Sequence, residues 1–186
     1  GLMDALAIDK AHFVGHSMGG TIVFNVIAAA PGRVLSGTVV NPGSPYGFGG
    51  CKGVAGTPCY DDCAGSGGGI VNPDFPRLIA AGDRSSDNPQ ASPRVVMNSF
   101  YWKPPFVPAR EEELLSSLLT EKIGADKYPG DLTPSANWPN VAPGSRGVLN
   151  TMAPSHFNVS GLAALQPQPP ILWVRGDSDQ IVADQS

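Results

Sequence analysis

Ser17 stands in Gly15-His16-Ser17-Met18-Gly19-Gly20, a hydroxyl set among glycines. A serine attacks a carbonyl carbon only when its hydroxyl is presented openly, beside donors that take up negative charge. A tight turn from strand to helix provides both, because the turn residue cannot be hidden and free helix N–H groups lie behind it. Glycines two before and two after the serine let the backbones pass without a Cβ clash. With 23 Gly and 16 Ser in 186 residues, composition alone gives ~0.2 matches to Gly-x-Ser-x-Gly. The pattern occurs once, and its surroundings must separate a nucleophile from an ordinary glycine-rich turn.

Other reactive types are few. The histidines are His12, His16 and His156. The thiols run Cys51-x7-Cys59-x3-Cys63, which admits a weak zinc set, one disulfide with a thiol left over, or three free cysteines. Asp61-Asp62 beside them is a cation ligand pair or a solvated turn.

The elements needed to present Ser17 are in place. Ala11-His12-Phe13-Val14 is short and apolar enough for a buried parallel strand. Ile22, Val23, Val26, Ile27 and Ala30 repeat as one buried helical face, and Pro31-Gly32 stops that helix. Leu2, Leu6 and Met3 share an earlier helical face. A second strand, 34–40, ends at Asn41-Pro42-Gly43. Residues 1–42 therefore read helix, strand, helix, strand, the pattern of a parallel α/β core.

Residues 44–72 are dominated by glycine. Ser92-Pro93 then suits a helix start, with Ser92 as N-cap, leading to Phe100. Residues 110–123 read as the clearest helix. Glu111, Glu112 and Glu113 fill its first turn, Leu114, Leu115, Leu118, Leu119 and Ile123 form its stripe, and Gly124 closes it. A short helix is expected from Ser145 to Met152. Ile171-Leu172-Trp173-Val174 reads as another buried strand, running into Arg175-Gly176-Asp177-Ser178-Asp179.

Composition narrows the function. Net charge is -4 and the 12 basic residues are scattered, which argues against nucleic acid as a partner. No apolar run reaches the length of a membrane-spanning helix. Gly (23) and Pro (19) concentrate between 41 and 170 among aliphatic and aromatic residues, a loop-rich middle and not a disordered one.

Gly15-His16-Ser17-Met18-Gly19-Gly20 followed far downstream by Ile171-Leu172-Trp173-Val174-Arg175-Gly176-Asp177-Ser178-Asp179 resembles the α/β-hydrolase fold, in its serine-nucleophile branch with a helical lid. The resemblance implies a core of 1–42, a lid insertion of 43–165, and a core strand with an acid-bearing loop at 166–186. Ser17 would be the nucleophile, the Met18 N–H an oxyanion-hole donor, and Asp179 the acid, with Asp177 its rival. The family's histidine follows the acid in chain order, and no histidine follows Asp179. His12 and His16 then read as packing or supporting residues, and His156 would break the order as base. The resemblance thus implies a piece of a longer chain, with its histidine beyond Ser186 and its first strands outside these residues.

Phe100, Trp102 and Phe106, with Met97, Tyr101 and the leucine stripe, would line an apolar substrate pocket or simply pack the lid. The expected activity is hydrolysis of ester-type or other acyl bonds in small to medium apolar compounds, through an acyl-enzyme and without metal or cofactor. A serine at the elbow excludes the relatives that use aspartate there. The alternative is a non-catalytic hydrolase-fold binding protein or receptor.

Overall fold

The computed structural model describes residues 1–182. A short helix α1 (Leu2–Ala5) leads to β1 (Ala11–His16), α2 (Met18–Ala29) and β2 (Val34–Val40); β3 (Ile171–Val174) returns after a long connection. The three strands form one parallel sheet in the order β1-β2-β3. Gly15 lies opposite Val39, which lies opposite Trp173; Val14, Thr38 and Leu172 form the adjacent row. Period-2 alternation sends these two rows to opposite faces.

The face of Val39 is covered. Val23, Phe24 and Ile27 of α2 pack there with Val34, Phe157, Val159 and Leu162, while Ile171 and Phe13 close the edges. The rings of Phe24 and Trp173 meet at 5.2 Å. Phe157, Val159 and Leu162, assigned by sequence to the insertion, thus share this core. The other face is open: Val14 is 75% exposed, Leu172 59% and Val174 41%. Both β1 and β3 read as buried strands, yet β1 is covered on one face only, and on β3 even Trp173 of the covered face stays 44% exposed.

The buried side of α2 also differs from the one its apolar pattern suggests. Thr21, Val23, Phe24 and Ile27 face inward with Gly20, and Ile22 is 53% exposed. Almost every position of α2 is apolar, so periodicity alone cannot set its phase. The turn at Ser17 sets it by directing Gly20 against Pro42.

The connection between β2 and β3 carries α3 (Asp74–Ala80), α4 (Pro93–Phe100) and α5 (Glu111–Leu118) with two-stranded ladders of two or three residues. Phe75, Ile79 and Ala91 make its core, joined by Val96, Leu118, Ile123 and Tyr128. α4 starts as expected with Pro93 in its first turn, but the Ser92 hydroxyl makes no cap bond; it donates to Asp83 Oδ2 at 3.2 Å. α5 stops short of 123. Thr120 and Glu121 donate to carbonyls three residues back, which tightens and ends the helix. Ile123-Gly124 then joins a ladder with Tyr128-Pro129. Leu115 is fully buried and Leu114 is 41% exposed, so the leucine stripe is only partly buried.

The helix expected from Ser145 is reduced to a 3-10 turn, Leu149–Met152, because Gly147 adopts φ 88. In that turn the buried Asn150 accepts the Gly68 N–H at 2.9 Å and donates to the carbonyls of Asp131 and Arg146. This amide stitches the glycine-rich stretch to the rest of the connection.

Candidate functional site

Ser17 is the turn between β1 and α2, with φ 53 and ψ -122, a conformation that costs a non-glycine residue of order 1–3 kcal/mol. Its N–H donates to the Val40 carbonyl at 2.8 Å. Its carbonyl accepts from Gly20 at 2.9 Å and Thr21 at 3.3 Å. The strand end and the helix start therefore clamp the strained residue from both sides. A Cβ on Gly15 would overlap the Gly19 carbonyl, and one on Gly20 would lie 2.8 Å from Pro42 Cβ. A Cβ on Gly19 would meet nothing. Close passage thus depends on Gly15 and Gly20, and Gly19 of the motif is spatially free.

Ser17 opens on a cavity of about 660 Å³, within the range of small-molecule sites. The core side supplies Ser17, His16, Asn41 and the loop from Gly176 to Val182. Ser99, Phe100, Tyr101, Trp102, Lys103 and Pro104, at and beyond the end of α4, form the remaining wall. Asp179 and Asp177 both border the cavity, so lining alone does not separate them. Their bonding does: Asp179 Oδ1 accepts the N–H groups of Ile181 at 2.8 Å and Val182 at 3.0 Å, whereas among the described residues Asp177 Oδ1 accepts only the neighbouring Ser178 hydroxyl at 2.9 Å. Asp179 is the held carboxylate and Asp177 the exposed one.

Two of the three aromatic candidates reach this wall. Phe106 does not line the cavity; it meets Trp102 edge to face at 6.4 Å and is 59% exposed. Trp102 is fixed from behind: its Nε1–H donates to Asn98 Oδ1 at 3.1 Å, and Asn98 Nδ2 donates to Glu111 Oε1 at 2.7 Å. Glu111 is paired in turn with Arg94 at 3.0 Å.

Met18 is the first residue of α2, and no described residue accepts its N–H. The histidines separate. His16 lines the Ser17 cavity, His12 Nδ1 lies 2.7 Å from the Ser36 hydroxyl, and His156 Nε2 lies 2.9 Å from the Gly144 carbonyl. His156 belongs to another cavity of about 400 Å³, shared with Asp61, Asp62 and Asp131. Asp62 is held below the usual carboxylate range, chiefly by the Ser135 hydroxyl. No group of three metal-ligating side chains forms among the described residues. Cys51, Cys59 and Cys63 are free thiols, and burial pushes the thiols of Cys51 and Cys63 up.

Asn41, Lys103 and Asn98 were not singled out in the sequence. Asn41 reads there as the end of a strand, and Lys103 and Asn98 carry no local motif.

Residues 2–58 match the family model described as alpha/beta hydrolase fold. A dihydrolipoyllysine-residue acetyltransferase component of an acetoin cleaving system from Cupriavidus necator is 51% identical over 47 residues, which are 25% of this chain and 12% of that protein. A 2-hydroxy-6-oxo-6-phenylhexa-2,4-dienoate hydrolase from Rhodococcus sp. strain RHA1 is similar in structure, with TM-score 0.44 and 19% identity, over 100% of this chain and 53% of that one. An esterase from Rhodococcus sp. ECU1013 gives TM-score 0.46 and 16% identity over 97% and 52% of the two chains. The chain spans about half the length of these solved structures and an eighth of the curated relative. The family match covers β1, the Ser17 turn, α2 and β2, and this segment has the α/β-hydrolase fold.

Proposed function

We propose that this chain carries the nucleophile and the acid of a serine hydrolase acting on acyl bonds. The observation that supports it is the strained Ser17, backed by a helix start and opening on the cavity that Asp179 also borders. Ser17 Oγ attacks the substrate carbonyl carbon, giving up its proton to an imidazole as the new C–O bond forms. The charge on the carbonyl oxygen falls to the Met18 N–H. The leaving group departs with that proton, and water then releases the acyl group from Ser17. Asp179 orients the imidazole, its carboxylate held by two backbone N–H groups. The imidazole is the component that His12 and His156 do not supply, since each is engaged elsewhere. Phe100 and Trp102 give the acyl or leaving group an apolar wall, which favours esters, thioesters or related compounds of small to medium size.

Covalent labelling by a fluorophosphonate probe in the full natural polypeptide is the direct test. Labelling that disappears in Ser17→Ala supports the reading. Equal labelling of the variant, or none of the wild type, overturns it; the second result together with saturable ligand binding would favour a non-catalytic binding protein.

A further inference from the structure

The segment that runs from Ser99 to Pro104 along the Ser17 cavity carries three aromatic residues, and Lys103 is its one charged residue. Beyond the end of α4 the chain runs Tyr101-Trp102-Lys103-Pro104 along the cavity, and the Phe106 N–H closes a turn on the Lys103 carbonyl at 3.2 Å. The lysine backbone is therefore held in place. Each arginine of the connection is paired with a carboxylate: Arg77 with Asp74, Arg84 and Arg94 with the glutamates of α5, Arg110 with Glu113, and Arg146 with Asp126. Among the described residues no carboxylate pairs with the Lys103 ammonium.

The cavity is thus bordered by both signs of charge, with Asp177 and Asp179 on the loop that follows β3 and Lys103 on the segment that follows α4. An anionic group on a ligand finds its one cationic partner among the described lining residues in Lys103, and Phe100 and Trp102 of the same segment can take the apolar body. Electrostatic complementarity of this kind orients a ligand as well as attracting it.

We infer that Lys103 anchors a carboxylate on the substrate. The class of substrate is then an acyl compound with an aromatic or alkyl body, its scissile carbonyl at Ser17 and a carboxylate at the end remote from that bond. This rests on the reading of the Ser17 cavity as a substrate site, and its test does not require turnover.

The test is calorimetric titration of the Ser17→Ala chain with 4-phenylbutyrate and with 4-phenylbutanol, a pair alike in body and different in charge. The carboxylate is expected to bind about 10-fold more tightly at low salt, as for a charge-assisted hydrogen bond. That preference shrinks as ionic strength rises. It is expected to vanish in Lys103→Met and to be retained in Lys103→Arg, with circular dichroism checking that each variant is folded. Equal affinity for both ligands, no binding of either, or a preference that survives Lys103→Met overturns the inference. A failure of the Ser17 reading appears separately, as absent probe labelling, and leaves the ratio of affinities readable.

Discussion

Asn41 Oδ1 accepts the Gly176 N–H at 2.7 Å, tying the end of β2 to the loop that carries Asp179. Asn41 sits at φ 44, a left-handed conformation that asparagine tolerates better than most residues, and its own N–H donates to the Val174 carbonyl at 2.8 Å. One residue thus holds both the last rung of the ladder and the first residue of the acid loop. Asn41→Ala removes the side-chain acceptor. The expected result is a fall in kcat/KM of roughly 10-fold, mainly in kcat, since the loss of one neutral hydrogen bond is worth about 1 kcal/mol and a loosened acid costs orientation as well. Steady-state kinetics on a chromogenic ester in the full natural polypeptide, with wild type as reference, checks it.

The glycines of the turn are unequal. Gly15→Ala and Gly20→Ala force contact with backbone or with Pro42 and are expected to destabilise the chain by about 3 kcal/mol or more. Gly19→Ala points into open space within α2 and is expected to stabilise it by roughly 0.5–1 kcal/mol. Urea unfolding of the three variants distinguishes these outcomes, and equal effects at all three positions would contradict the packing described.

Trp102 is aimed by Asn98. Asn98→Ala leaves the indole N–H without its partner and Glu111 without the amide donor. The expected effect is a several-fold rise in KM for esters with an aromatic group and little change for acetyl esters of small alcohols. It is accompanied by altered indole fluorescence, and Asn98→Gln partly restores both.

Asp131 gives a pH dependence. Its carboxyl lies below the usual range, first because it accepts the Arg146 backbone N–H at 2.8 Å, then through the Ser145 backbone N–H and the nearby Arg146 guanidinium. A carboxyl lowered in the folded state adds stability above its unfolded pKa of about 4 and loses that contribution as pH falls through the lower folded value. Asp131→Asn is therefore expected to be less stable than wild type at pH 7, with the gap closing as pH falls below about 4. Denaturant midpoints across that range test it; a constant gap would be inconsistent with this linkage.

What could be read from the sequence follows physical locality. The turn at Ser17 and the Gly176-x-x-Asp179 loop are local patterns, each completed within a few residues, and the two border one cavity. The phase of α2 was not legible, because Ile22 and Phe24 are equally apolar and only contact between Gly20 and Pro42 decides between them. Asn41 gave no sign because its partner is Gly176, a relationship made by the sheet and not by sequence proximity. The length of α5 was overread, since Ile123 continues the leucine spacing but packs from a ladder beside Tyr128.

The bare face of the sheet bears on how this polypeptide behaves in a tube. Val14, Leu172 and Val174 form an oily surface on strands whose outer backbone groups, on β1 and β3, have no ladder partner among the described residues. Such a surface recruits further strands or copies of itself. Preparations of these 186 residues alone are expected to brighten anilinonaphthalene sulfonate and to cloud as concentration rises, sooner in ammonium sulfate than in dilute buffer. A double substitution to threonine at Val14 and Leu172 should delay that clouding without touching the Ser17 cavity.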